Sequence, residues 1–179
     1  QIATDNAFAN IVHDHNIAGI ANSQDNDAIL NFATTYYWRV RAFAADVADA
    51  EQRREIFDWV EDLGDGLQIL VNNAGSNTRL PAMDYADAQW REIFESNVFA
   101  AFELCRFAFP LLSQHAASSI VNVGSVSGLT HVRTGAPYGM SKAALHQMTH
   151  NLACEWAEDG VRVNAVALWY IRTRRTSAA

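Results

Sequence analysis

Three short apolar runs constrain the fold of this chain more than any other feature: Leu67-Gln68-Ile69-Leu70-Val71, Ser119-Ile120-Val121-Asn122-Val123 and Val161-Arg162-Val163-Asn164-Ala165-Val166. Each reads as a buried strand bounded by turn residues. Ala50 to Leu63 has helical periodicity, with Ile56, Trp59, Val60 and Leu63 on one side and Gly64 and Gly66 after it. Trp90 to about Gln114 reads as a long helix bent near Pro110, and Tyr138 to Glu158 as a helix ended by Gly160. Upstream, Val40 to Ala45 is a further short apolar run that ends at Asp46. Strands separated by helices predict an α/β fold, a doubly wound parallel sheet with helices on both faces. Ligands of such sheets bind outside the carboxyl ends of the strands. Asp46, Asn73, Gly75, Ser125 and the segment after Val166 fall at those ends, so they are expected to converge on one rim.

The chain has 179 residues, half of them hydrophobic and 18% charged, which suits one globular domain over residues 1–179. Residues 1–39 fit the alternating scheme poorly; Ile17 to Ile20 is a short apolar patch, and Thr34 to Val40 reads as a strand rich in aromatics. A formal net charge of -7 argues against nucleic acid or an anionic membrane surface as partner. No apolar stretch is long enough to predict a membrane span. Cys105 and Cys154 stand outside any Cys-x-x-Cys or Cys/His cluster and read as buried residues of a reducing, cytoplasmic compartment. His13 and His15 lack a spaced carboxylate or cysteine to complete a metal set, so no metal is expected. The chain opens on Gln1 rather than Met, and the expectation is of a chain incomplete at its start.

Tyr138 and Lys142 are four residues apart, which puts both on one face of a helix. A free phenol titrates at about pH 10, too high for acid–base work at neutrality. Lowering such a value by about 3 units takes roughly 4 kcal/mol. A lysine charge held about 4 Å away supplies a similar amount at an effective dielectric near 20. Alone, Tyr-x-x-x-Lys is common on helices whose tyrosine merely packs. Its neighbours add to it. Ser125 follows a strand, where its hydroxyl can donate to a substrate oxygen or simply cap a turn. Asn97 lies inside a long helix, where asparagine is a poor former, and reads either as solvent-facing or as turned inward to a water or lysine. Asn72-Asn73-Ala74-Gly75 after a strand makes a tight turn that a ligand can approach.

Leu70-Val71-Asn72-Asn73-Ala74-Gly75, then Asn97, then Gly124-Ser125-Val126-Ser127-Gly128, then Tyr138-Gly139-Met140-Ser141-Lys142-Ala143 together resemble the short-chain dehydrogenase/reductases. Asn151 to Ala157 with Val161 to Ala167 look like that family's tropinone-reductase-like branch. The resemblance runs over residues 40–175 and implies a Rossmann-like fold. It further implies an NAD(P)-dependent oxidoreductase that interconverts a carbonyl and a secondary alcohol on a small molecule. By it, Tyr138 is the general acid or base, Lys142 tunes it and holds the nicotinamide ribose, Ser125 orients the carbonyl oxygen, and Asn97 fixes a water in a proton relay. Asp46 and Val47 correspond to the pair that contacts adenine, Asn73, Ala74 and Gly75 to the lining of the adenine-side ribose, and Thr173 to the threonine that holds the nicotinamide amide. The helices from Trp90 and Tyr138 correspond to the contacts of a homodimer or homotetramer.

Two departures stand out. The family's opening Gly-x-x-x-Gly-x-Gly turn, which cradles a pyrophosphate, has no counterpart in residues 1–39, where Gly19 is the only glycine. The family's Pro-Gly after the sixth strand appears as Leu168-Trp169, and the chain ends at Ala179, before the implied substrate loop and last strand. Whether the cofactor is NAD or NADP stays open, because the strand whose end decides it is not located. A non-catalytic scaffold that lacks cofactor binding is the alternative function.

Overall fold

The computed structural model describes residues 41–64 and 66–170, together with the backbone of two short strands, β1 (His15–Ile17) and β2 (Tyr36–Trp38). The chain divides into two units, Gln1–Ala44 and Ala45–Ala179. In the first, β1 and β2 pair antiparallel with Asn16 opposite Tyr37, so β2 falls within the expected run from Thr34 to Val40. The His13 and His15 side chains lie outside the described residues.

In the second unit the three apolar runs form one parallel sheet in the order β3 (Ile69–Asn72), β4 (Ser118–Ser125), β5 (Val161–Leu168). The register pairs Asn72 with Asn122 and carries β5 along all of β4, to Ser125 opposite Leu168. Residues 41–46 form no strand, contrary to the reading of Val40 to Ala45. Asp46 serves a local turn instead. The Asp46 amide donates to Gln52 Oε1, and the Asp46 carboxylate accepts from the Ala48 amide. That turn leads into α1 (Ala50–Asp62), capped by Asp49, which accepts from the Glu51 and Gln52 amides. Bonds from the Gln52 backbone and side chain, then from Glu51, hold the Asp49 carboxyl below its ordinary value.

The expected long helix is present but differs inside. It runs as α2 (Asp87–Phe94), a π-helical turn (Glu95–Phe99) and α3 (Ala100–Leu112). The interruption therefore falls at Asn97, and Pro110 sits near the end of α3. A π turn widens the helix locally and rotates the residues after it, a device common at functional sites. Ala101, Cys105 and Ala108 let α3 lie close to the sheet. Arg53 of α1, itself buried, donates to Glu95 in the π turn at 3.1 Å, to Glu103 of α3 at 2.8 Å and to the Val47 carbonyl.

The last helix, α4 (Ala136–Glu155), follows Gly135 and is succeeded by a turn closed at Gly160, whose φ is +74°. The core lies between α1, α3, α4 and one sheet face: Phe57, Leu104, Leu112, Ile120, Leu152, Trp156, Val161 and Val163 are buried together. A buried polar line crosses it. Asn72 Nδ2 donates to Asn122 Oδ1, Asn122 Nδ2 to Thr149 Oγ1, and Thr149 Oγ1 to the Leu145 carbonyl.

The parallel Rossmann-like class expected from the sequence is present. Among the described residues the helices cover one face. Right-handed crossovers that step across a sheet in one direction, β3 to β4 to β5, keep their helices on the same side. The other face carries Ile69 and Val71, 63% and 54% exposed, so the first apolar run is covered on one face rather than fully buried. Cys105 is buried as expected, whereas Cys154 is exposed. Among the described residues no helix is long and apolar enough to cross a membrane.

Candidate active site

The carboxyl ends of β3, β4 and β5 open onto a cavity of about 960 Å³. Asn73 and Gly75 reach it from β3, Ser125 from β4, Trp169 and Tyr170 from β5, and Tyr138 and Lys142 from α4. The predicted convergence on one rim thus holds for these groups. It does not extend to Asp46 and Val47, which lie outside the lining: Asp46 serves the turn before α1, and the Val47 carbonyl is taken by Arg53. Ala74 is also outside the lining, and Thr173 lies outside the described residues.

Ser125 ends β4 and starts a short 3-10 turn (Val126–Gly128). Its Oγ accepts from the Ser127 amide at 3.1 Å. The cap and the functional reading are therefore compatible, because the hydroxyl proton remains available to the cavity. Tyr138 and Lys142 stand one turn apart on α4, with Lys142 Nζ 5.8 Å from the centre of the Tyr138 ring. Lys142 is only 5% exposed. Burial lowers its ammonium from 10.5 to about 8, since removal from water disfavours the charged form.

Backbone bookkeeping explains what holds Lys142. The Ser118 amide donates toward β5, to Gly160, and the Ser119 amide toward β3, to Gln68. Alternation along a strand then aims the Val123 and Ser125 carbonyls to the β3 side. Yet β3 ends at Asn72, opposite Asn122. Past that point the two carbonyls need other partners. Lys142 Nζ donates to Val123 O at 2.8 Å, and His146 Nε2 meets Ser125 O at 3.0 Å. A carbonyl only accepts, which assigns the ring proton to Nε2. His146 also requires Gly124, because a Cβ there would run into the imidazole.

Asn97 is 1% exposed. The inward reading is the one observed. Its Oδ1 accepts from the Ser76 amide at 2.8 Å, and its Nδ2 donates to the Ser76 carbonyl and to Ser141 Oγ, both at 3.0 Å. Ser141 Oγ in turn donates to the Tyr138 carbonyl. Asn97 thereby clamps the loop after β3 to the helix that carries Tyr138 and Lys142. A Cβ at Gly75 would fall 2.9 Å from Asn97 Oδ1 and 3.6 Å from Lys142 Nζ, so bare backbone is needed where loop and helix meet.

Several of these residues had not been singled out from sequence. His146 lies two turns beyond Tyr138 on the same face of α4, a spacing that carries the information. Ser76, Ser141 and Arg79, which also lines the cavity, offered no comparable signal.

A parallel sheet with a cavity at the carboxyl ends of its strands, holding a serine, a tyrosine and a buried lysine, defines a Rossmann-like α/β protein. The chain belongs to the short-chain dehydrogenase family, whose model matches residues 9–179. A tropinone reductase homolog of Arabidopsis thaliana is 39% identical over 153 residues, covering 85% of this chain and 58% of that protein. Among solved structures, RhlG of Pseudomonas aeruginosa in complex with NADP is similar with a TM-score of 0.71 and 31% identity, over 75% of this chain and 54% of that one. A gluconate 5-dehydrogenase of Burkholderia cenocepacia, in complex with NADP and tartrate, is similar with a TM-score of 0.69 and 28% identity, over 74% and 52%. The chain thus spans little more than half the length of these relatives.

Proposed function

We propose that this chain carries the catalytic centre of an NAD(P)-dependent oxidoreductase that interconverts a carbonyl and a secondary alcohol on a small molecule. The observation that carries the reading is the convergence of Ser125, Tyr138 and Lys142 on one cavity, with the Ser125 hydroxyl proton uncommitted. The nicotinamide, when bound, exchanges the hydride. Ser125 Oγ–H holds the carbonyl oxygen, and Tyr138 gives that oxygen its proton in reduction or takes it back in oxidation. Lys142 places a positive charge beside the phenol and offers its ammonium to ribose hydroxyls. Asn97 acts through Ser76 and Ser141, keeping the loop after β3 in register with α4.

The residues present fit the nicotinamide-ribose end of such a cofactor. Gly75 leaves the wall bare beside Lys142, and among the described residues no acidic side chain lines the cavity. The NADP held by the two structural relatives supports NADP(H) as the form to test first. Tyr138→Phe is expected to lower carbonyl-reducing turnover by about 10²-fold to 10⁴-fold with the thermal transition unchanged. Retained turnover in that variant refutes the assignment.

A second reading, a scaffold without cofactor binding, is favoured by the lack of a glycine turn in residues 1–39. Titration with NADH and NADPH separates the two, since saturable binding excludes the scaffold. Self-association through the helices from Trp90 and Tyr138 is a further part of the proposal, supported by exposed Phe99 and Phe102 on the first and Met140 on the second.

A further inference from the structure

The cavity has a charge opposite to that of the chain. The chain carries a formal net charge of -7, yet among the described residues the charged ones that line the cavity are Arg79 and Lys142, with no Asp or Glu. Lys142 is engaged at the Val123 carbonyl. Arg79 forms no hydrogen bond or ion pair among the described residues.

The position of Arg79 is set by its neighbours. The Tyr85 hydroxyl accepts from the Leu80 amide at 3.2 Å and donates to the Thr78 carbonyl at 2.5 Å. One side chain therefore pins the residues on either side of Arg79. The same hydroxyl sits where a Cβ of Gly135 would be, and Gly135 has a φ of +93°. The loop is thus tied to the start of α4 before any ligand arrives, which reduces the ordering cost of binding. Gly75 meets α4 at Lys142, seven residues further along. At 1.5 Å per residue that is about 10 Å away, with Tyr138 between the two points. Arg79 and Gly75 therefore bracket Tyr138 from opposite ends. Val132, Leu168 and Trp169 add apolar wall to the same cavity.

We propose that Arg79 recognises an anionic group on the substrate, so that the substrate class is a carbonyl or hydroxy compound with an apolar body and a carboxylate or phosphate. A guanidinium presents two parallel donors to either oxyanion. The proposal deepens the catalytic reading of Ser125 and Tyr138 and rests on it for the site's identity.

The test uses the full chain, with phenylglyoxylate and its uncharged methyl ester as probes and tryptophan fluorescence as the readout. The wild type is expected to bind the acid at least about fivefold more tightly than the ester, a modest factor because Arg79 is solvent-exposed. Arg79→Met should abolish that preference, and Arg79→Lys should keep part of it. Equal affinity of the wild type for acid and ester, a preference that survives Arg79→Met, or no saturable binding of the acid each overturns the proposal. So does weaker binding of NADPH but not NADH to Arg79→Met, which would assign the arginine to the cofactor. Competition by inorganic phosphate or by acetate supports it and identifies which oxyanion fits, whereas competition by neither refutes it. In Tyr138→Phe the acid preference should persist while turnover is lost. Persistence of both would sink the catalytic reading and leave the anion site standing.

Discussion

Lys142→Met tests the electrostatic reading of the site through folding stability alone. The native ammonium is buried and lowered from 10.5 to about 8, with removal from water as its cause. Between those values the unfolded chain holds a proton that the native chain has released. Unfolding then takes up protons, so stability rises with pH across this window. The penalty of the buried charge is fully present below about pH 8 and is relieved by about pH 10.5. The gap of about 2.5 units corresponds to about 3 kcal/mol. Methionine has no charge to bury, so Lys142→Met should lack this rise. Losing the bond to the Val123 carbonyl costs the variant about 1–3 kcal/mol, an offset to its whole profile, so the slope with pH rather than the absolute difference is what is compared. Urea unfolding of both proteins at several values from pH 7 to pH 10.5 isolates the effect, because titrating groups away from Lys142 cancel in the difference and the same pair in a Tyr138→Phe background removes the neighbouring phenol. The wild type should gain about 3 kcal/mol relative to the variant over the range. Parallel stability profiles would show that Lys142 titrates natively as it does when unfolded, and the reasoning fails.

Two further outcomes follow from the contacts around this site. Gly124→Ala should destabilise by about 1–3 kcal/mol because its Cβ meets the His146 ring; His146→Ala in the same chain should recover part of the loss in denaturant titrations. Asn97→Ala should cost about 2–3 kcal/mol by leaving the Ser76 backbone and Ser141 without their shared partner, and it should raise hydrogen exchange at the Ser76 amide more than at Ile120 in the core.

The alternation of apolar runs and helical periods was sufficient to predict the parallel sheet, because burying such runs on one sheet requires crossover helices. The same pattern misplaced Leu67 to Val71 as fully buried, since a run of apolar residues does not say whether both faces of its strand are covered. It also promoted Val40 to Ala45 to a strand, whereas residues 41–46 form none and Asp46 serves a turn before α1. The i,i+4 spacing of Tyr138 and Lys142 was legible because helical geometry is local. By the same rule His146 was within reach two turns on, but its partner, the Ser125 carbonyl, becomes available only because β3 stops at Asn72.

What the sequence by itself determined is the order of elements and the helix face that carries Tyr138 and Lys142, which follow from spacing along one chain, and the family, which its motifs resemble. Only the tertiary structure decided that Asn97 clamps Ser76 and Ser141, that Lys142 and His146 close the open edge of β4, and that Arg79 lines the cavity unpaired. The physical reason is the same in each case. A hydrogen bond or a charge is satisfied by whatever lies within about 3 Å, and residues that close are brought together by where strands end and how a helix is wound, which neighbours in sequence do not specify.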